Sequence, residues 1–378
     1  MSRHRGALRS VEEASPALRQ KVETYRDQGG LLGTFTYVFT YLETEDPDLA
    51  ATLATIPTDL FVTSALHDDA IDEADSWDAD RKCRLNEHVT VGDLVYTNVV
   101  EAVSDAAVGI DLGPTLEVVR EIGTGQLAEE AVEATPSTEE DAVARVEDRG
   151  GVWGDLAVEL VAAAGRYSSS QLEALRTIAT NSLFVLTVID DLADLPEDIG
   201  NDVATLPLLC FGERADEYAS PRALIDAVLA SDVPDRLADL VARRRAAIRT
   251  AVAELWDSID HSDEALLEAT DRALEWYCES VCSVPIAETV PAEQRRAIRE
   301  RLTGDEEPRR RYIAAHLARL PVAVPADDAA AVVSDLPADR LARTAVRIHH
   351  LDSVVDSVLS TTLEDALADL RAASASTS

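Results

Sequence analysis

Lysine is almost absent: Lys21 and Lys82 are the only two in 378 residues, although basic residues number 34. Methionine occurs once, cysteine four times, and aromatic residues make up only 4% of the chain. Each shortage excludes something. Four cysteines (Cys83, Cys210, Cys278 and Cys282) cannot staple a chain of this length, so no disulfide framework is expected. Cys278 and Cys282, four apart, read as small apolar core residues on one helix face, with metal binding as the lesser alternative. The 71 acidic residues leave a net charge of −37. Such a surface repels nucleic acid and anionic lipid, so neither is expected as a partner. No apolar run approaches the roughly 20 residues of a membrane span, so no integral membrane segment is expected. The basic start, Met1 to Arg9, has no apolar stretch behind it, so no secretory signal is expected and the localisation reads as cytoplasmic.

What is present is helical periodicity. Hydrophobic residues are 46% of the chain, enough for a core. Acidic blocks alternate with apolar helical patterns, a surface that holds hydrated cations and keeps a protein soluble at high salt. Together with the replacement of Lys by Arg, this reads as adaptation to a salt-loving cytoplasm. Helices are expected at 48–71, 85–108, 116–134, 142–164, 170–195, 223–229, 234–259, 262–282, 292–302, 309–320 and 337–370. Prolines punctuate them, with Pro57 and Pro285 expected near helix ends. Ser10 with Glu13 has the spacing of a capping box, and Ser168 to Ser170 offer N-cap chemistry. No Pro/Gly/Ser linker splits the chain. The expectation is an all-α fold: a flexible N-terminus over 1–15, a helical domain over 16–304, a C-terminal helical extension of it over 305–371, and a flexible tail over 372–378.

Two acidic segments stand out. The first is Leu66-His67-Asp68-Asp69-Ala70-Ile71-Asp72 and the second is Val188-Ile189-Asp190-Asp191-Leu192-Ala193-Asp194. Both read D-D-x-x-D, and both follow apolar runs, which a solvated face would not need. On a helix, Asp68 and Asp72 share one face, as do Asp190 and Asp194. Two such helices facing each other would gather carboxylates whose repulsion raises their own pKa values unless divalent cations bridge them. Oxygen-only ligands suit Mg²⁺, which binds through carboxylates and substrate phosphates. The expected ligand is therefore a diphosphate held by several Mg²⁺ ions. The expected metal ligands are Asp68, Asp72, Asp190 and Asp194, with Asp69 and Asp191 completing the catalytic set.

In its motifs the chain resembles the trans-isoprenyl diphosphate synthase (polyprenyl synthetase) family, within the class I isoprenoid synthases. The resemblance spans roughly residues 29–213. It rests on His67 with Asp68, Asp69 and Asp72; on Gly92-Asp93; on Gly125-Gln126; on Asp190, Asp191 and Asp194; and on Gly200-Asn201-Asp202 with Thr205-Leu206-Pro207-Leu208-Leu209. It implies an all-α bundle of the isoprenoid synthase type around a central apolar cavity, commonly a homodimer, that ionises an allylic isoprenoid diphosphate with Mg²⁺. It also implies diphosphate-binding roles for Arg81, Arg84, Arg149 and Gln126. Thr63 and Ser64 fall where bulky residues shorten the product in the family, so these small ones imply a C20 or longer chain.

The departures are informative too. The family carries Lys and Arg in a Gly-Gly-Lys-Arg segment that holds isopentenyl diphosphate, whereas here the nearest match is Gly29-Gly30-Leu31-Leu32-Gly33. Three readings follow. The first is prenyl transfer and chain elongation onto isopentenyl diphosphate. The second is a terpene synthase or cyclase acting on one allylic diphosphate, with Phe35, Tyr37, Phe39 and Tyr41 as candidate aromatic faces for a cation and Phe35 and Phe39 as cavity residues. The third is a non-catalytic partner subunit, so the chain is expected as a homodimer or as a heterodimer with a prenyl synthase. Two smaller features carry lesser readings. His349-His350-Leu351-Asp352 with Asp356 reads as a solvated helix face or a core histidine ahead of a metal site, and the arginine runs at 243–245 and 309–311 read as surface ion-pair partners ahead of a phosphate or anionic-lipid contact.

Overall fold

The computed structural model describes residues 11, 14–74, 77, 80–130, 138–200, 205–213, 217–259, 261, 263–281 and 363–376. Ser10 with Glu13, Cys282 (and with it the Cys278–Cys282 pair), Pro285, the expected boundary at 304, the 309–311 arginines and the His349–Asp356 segment lie outside them. Every described element is helical, so the fold is all-α. The chain forms two compact units.

Unit 1 takes the described residues that fall within 1–112, 159–168 and 259–281. Its helices are α1 (Pro16–Thr44), α2 (Pro47–Asp72) and α3 (Arg81–Ala106). Ser15 caps α1 by accepting from the Leu18 N–H, and Asp46 caps α2 by accepting from Asp48 and Leu49. Proline follows each cap, where its missing N–H costs nothing. Glu45 turns the chain between them through a left-handed φ of 51°. Pro57 lies inside α2, not near its end as the sequence suggested. The break in the backbone ladder is tolerated because the helix is buried around it, from Ala54 to Leu60. α1 and α2 approach closely because α1 presents glycine: a Cβ on Gly29 would lie 2.8 Å from the Thr58 carbonyl oxygen. The Thr58 hydroxyl donates to the Ala54 carbonyl at 2.9 Å and to that of Gly29 at 3.3 Å. Leu18, Val22, Val62, Leu66, Val91 and Val95 form one apolar cluster behind the end of α2.

Unit 2 takes residues 113–158, 169–258 and 359–378. It holds α4 (Gly113–Glu130), α5 (Glu139–Val146), a π-helical turn (Glu147–Gly151), and the first half of α6 (Val152–Ala164), which ends in unit 1. Next come α7 (Ser169–Ala193), α8 (Leu195–Gly200), α9 (Leu206–Phe211), α10 (Pro221–Ala230) and α11 (Val233–Ser258). The last helix in the chain, α13 (Leu363–Ser376), also belongs here, while α12 (Asp263–Trp276) belongs to unit 1. The core gathers Phe184, Leu192, Leu195, Leu206, Leu237 and Leu367. At Gly154 a Cβ would sit 2.7 Å from the Thr180 backbone nitrogen and 2.8 Å from the Ala179 carbonyl carbon. Backbone cannot yield there, so Gly154→Ala is expected to destabilise by about 1–3 kcal/mol. Gly123 on α4 has open space around it, so Gly123→Ala is expected to stabilise by about 0.5–1 kcal/mol. Urea denaturation of the two variants checks the opposite signs.

Two helices, α2 and α7, are long and apolar enough to cross a membrane by length and composition, a feature the absence of a continuous apolar run concealed. They bury 61% and 44% of that stretch inside the protein, which is how core helices pass the same test.

Candidate active site

The first acidic motif closes α2. Leu66 and Ala70 face the core, which leaves Asp68 half-buried and Asp72 exposed. Asp69 is held from α1. Tyr25 Oη donates to its carboxylate at 2.9 Å, and Lys21 Nζ donates at 3.0 Å. Lys21 also pairs with Glu73. Desolvation opposes the Lys21 charge, but the bonds to Glu73 and Asp69 outweigh it and raise the lysine's pKa. Partial burial, followed by the charge of Asp69, raises the Tyr25 phenol, so it stays a donor. On the far side, His88 Nδ1 bonds to the Arg84 carbonyl at 2.9 Å, and its Nε2 stands 4.0 Å from Asp69. Trp77 packs on His88 in a tilted arrangement with centroids 4.8 Å apart, and its Nε1 donates to Glu73 at 3.2 Å.

The landmark Gly92-Asp93 has a local explanation. A Cβ on Gly92 would meet His67 Nε2 at 2.7 Å, so glycine makes room for the ring, and Asp93 lies 3.4 Å from the same nitrogen. Thr63 is buried, its hydroxyl donating to the Asp59 carbonyl at 2.8 Å, and Ser64 is half-buried.

The second motif closes α7. Asp191 is only 3% exposed. It accepts from Arg149 on the π-turn and from the Leu206 N–H at 2.9 Å, so one carboxylate caps the start of α9. Asp190 and Asp194 remain exposed. The Asp190 carboxyl is pushed up to about 6 by desolvation and by the charges of Asp194 and Asp191, with Arg149 opposing. Because this side chain is open to solvent, the like charges are the weightier cause. Asp198, one turn beyond Asp194, rises to about 7 through partial burial, then Asp191 and Asp194.

A cavity of about 520 Å³ opens beside this motif within unit 2. Gly125, Arg145, Arg149, Asp155, Asp191 and Leu206 help to line it. Arg145 Nη1 has no hydrogen-bond partner in the protein, although it is buried. Gly150 sits against the Thr187 hydroxyl, which lets the π-turn press onto α7. Gln126 is half-buried on α4, next to the lining Gly125.

Arg81 and Arg84 lie exposed in the first turn of α3. Gly29 to Gly33 form no loop; they lie mid-helix in α1, with Leu32 buried. Phe35 and Phe39 are buried and pack on each other at 4.9 Å, and Tyr167 meets Phe39 edge-on at 6.3 Å. Arg244, read from sequence as surface, lies over the Phe184 ring at 4.2 Å and bonds Asn181 as well as Glu147.

Sequence reasoning missed Lys21, Tyr25, His88 and Asp198. The four-residue spacing of Asp190, Asp194 and Asp198 was a usable signal for the last. Among the described residues, no three His, Cys, Asp or Glu side chains converge closely enough to hold a metal. What each motif offers is a pair of oxygen donors one turn apart, a set that fits a hydrated Mg²⁺ completed by substrate phosphate.

No family model and no curated protein matches the chain. Solved structures do. Heptaprenyl diphosphate synthase from Staphylococcus aureus aligns over 67% of this chain and 96% of its own, at 12% identity and a TM-score of 0.50. Geranylgeranyl pyrophosphate synthetase from the archaeon Geoglobus acetivorans aligns over 70% and 92%, at 19% identity and a TM-score of 0.51. The all-α fold is thus the fold of these prenyl synthases.

Proposed function

We propose, from the prenyl diphosphate synthase fold and its two acidic helix ends, that the chain is a Mg²⁺-dependent enzyme that ionises an allylic isoprenoid diphosphate. It then transfers the prenyl group to isopentenyl diphosphate. The carrying observation is the shared design of the motifs. In each, the middle aspartate is locked by a cation and a second donor of its own unit, Asp69 by Lys21 and Tyr25 and Asp191 by Arg149 and the Leu206 N–H. Asp68, Asp72, Asp190 and Asp194, the outer carboxylates of the two motifs, are the metal ligands of this reading.

Mg²⁺, when bound, supplies Lewis-acid stabilisation of the departing diphosphate. The chain's own residues do the rest. Asp68, Asp72, Asp190 and Asp194 orient the cations. Arg145 and Arg149 offer guanidinium donors to phosphate oxygens in a unit 2 cavity whose other charged lining residues are Glu121, Glu147, Asp148, Asp155 and Asp191, a charge that bound Mg²⁺ would offset; Arg149 is fixed by Asp191. Thr63 and Ser64 are the small residues on α2 that, in this reading, set no block to a long prenyl chain.

A second reading, a terpene synthase that uses one allylic diphosphate, is favoured by Leu31 and Leu32. They stand in a helix where the resemblance calls for isopentenyl-binding cations. One assay separates the readings. The protein is incubated at molar salt with Mg²⁺ and C10, C15 or C20 allylic diphosphates, with and without isopentenyl diphosphate. Elongated products that require isopentenyl diphosphate are expected. Hydrocarbons or alcohols formed without it would support the second reading. No diphosphate release under any condition would sink both and leave a non-catalytic partner subunit.

A further inference from the structure

One of the chain's two lysines lies against the first acidic motif. Lys21 sits on α1, 48 residues before Asp69 in sequence, and places its ammonium between Asp69 and Glu73. Tyr25, one turn along the same helix, donates to both oxygens of Asp69 at 2.9 Å. The ammonium is a compact point charge that takes both carboxylates as partners, whereas a guanidinium would meet them as a larger planar fork. Trp77 and His88 close the other side: Trp77 bonds Glu73 and packs at a tilt on His88, which faces Asp69. Both Asp69 oxygens are therefore engaged from α1, while Glu73, the residue that caps α2, is tied to both Lys21 and Trp77.

We propose that Lys21 and Tyr25 are positioning residues for the metal. They withdraw Asp69 from the ligand set and fix the last turn of α2, so that Asp68 and Asp72 meet the cation at a set spacing. This rests on the reading of that motif as a Mg²⁺-diphosphate site. Groups that orient ligands from behind typically change metal affinity by 10–100-fold when removed.

The sign of the effect is what separates positioning from simple electrostatics. Lys21→Met deletes a positive charge beside the motif, which by charge alone strengthens cation binding. Loss of positioning weakens it. Mn²⁺ with inorganic pyrophosphate serves as the probe, followed by electron paramagnetic resonance on full-length protein at molar salt, with circular dichroism reporting the fold. Lys21→Met is expected to weaken Mn²⁺ binding by about 10–100-fold with an unchanged helical spectrum. Tyr25→Phe, which removes only a hydroxyl, gives a smaller loss of the same sign and serves if Lys21→Met does not fold. Lys21→Arg keeps the charge and restores only part of the affinity. Parent-like or tighter binding in folded Lys21→Met and Tyr25→Phe would overturn the positioning role alone. A parent protein that binds no Mn²⁺ with pyrophosphate would overturn the functional reading, and this proposal with it.

Discussion

Asp190→Asn is expected to cut diphosphate release from an allylic substrate by about 10²–10⁴-fold and, at the same time, to raise the melting temperature of the metal-free protein. The first effect follows from the proposed role of Asp190 as a ligand for a cation that stabilises the leaving group. Such Lewis-acid stabilisation is worth several kcal/mol, and each 1.36 kcal/mol is about tenfold in rate. The second effect follows from the crowding of charge. The folded protein raises the Asp190 carboxyl from 3.8 to about 6, through desolvation and the charges of Asp194 and Asp191. A carboxyl raised in this way favours the fold when protonated. Its contribution is complete below pH 3.8, the unfolded value, and is lost as pH rises through about 6. At pH 7.5 the group is ionised and repelled, and asparagine removes that repulsion. The variant should therefore melt higher than the parent at pH 7.5, with the gap closing towards pH 4. Saturating Mg²⁺ should also close it, because the cation stabilises only the parent. Calorimetry at both pH values, with and without Mg²⁺, checks the pattern. A variant that melts below the metal-free parent at pH 7.5 would refute the account of Asp190 as a strained, metal-ready carboxylate.

The second large effect concerns the cations missing from the glycine-rich segment. Restoring the arginine that the resemblance calls for, through Leu32→Arg, is expected to unfold unit 1 and not to create an isopentenyl diphosphate site. Leu32 is 7% exposed in α1. Its neighbours Gly30 and Gly33 are pressed against Tyr277 and Trp276, and a Cβ on Gly30 would lie 2.5 Å from the Tyr277 ring. An unpaired guanidinium buried there costs several kcal/mol, against a total stability of about 5–15 kcal/mol for a native protein. Leu31 is only half-buried, so Leu31→Lys can carry its ammonium to water along an apolar stem and should cost little. Soluble yield and thermal melts of both variants, with isopentenyl diphosphate titrated into whichever folds, decide it. A Leu32→Arg protein that melts within a few degrees of the parent would show that this part of α1 has room to accept a cation.

The helices that carry the motifs were legible because their apolar spacing is regular. Helices were expected at 48–71 and 170–195, and the structure has Pro47–Asp72 and Ser169–Ala193. α1 was not legible, although at 29 residues it is the longest described helix. Gly29, Gly30 and Gly33 and the run Thr34-Phe35-Thr36-Tyr37-Val38-Phe39-Thr40 carry weak helix propensity, and burial against α2 overrides it. The helix expected over 142–164 is in fact α5, a π-turn and α6, because Gly150-Gly151 yields where Thr187 presses in. The acidic motifs could be picked out by pattern alone. Their partners could not: Tyr25 lies 44 residues from Asp69 and Arg149 lies 42 from Asp191, distances at which no local spacing rule operates.

The lock on Asp191 has a consequence for the order in which the chain folds. Its carboxylate joins three segments: the end of α7, the π-turn at Arg149, and the first residue of α9. The contacts span 42 and 15 residues. Closing chain loops of that length costs entropy before any contact rewards it. α7 can wind early, from local interactions, with Asp190 already in place along it and Asp194 one residue past its end. Asp191 can be sequestered only after both loops have closed. The newly wound helix therefore ends in two carboxylates, with Asp194 just beyond, that are not yet told apart, and the division of labour within the motif comes only with the later loop closures.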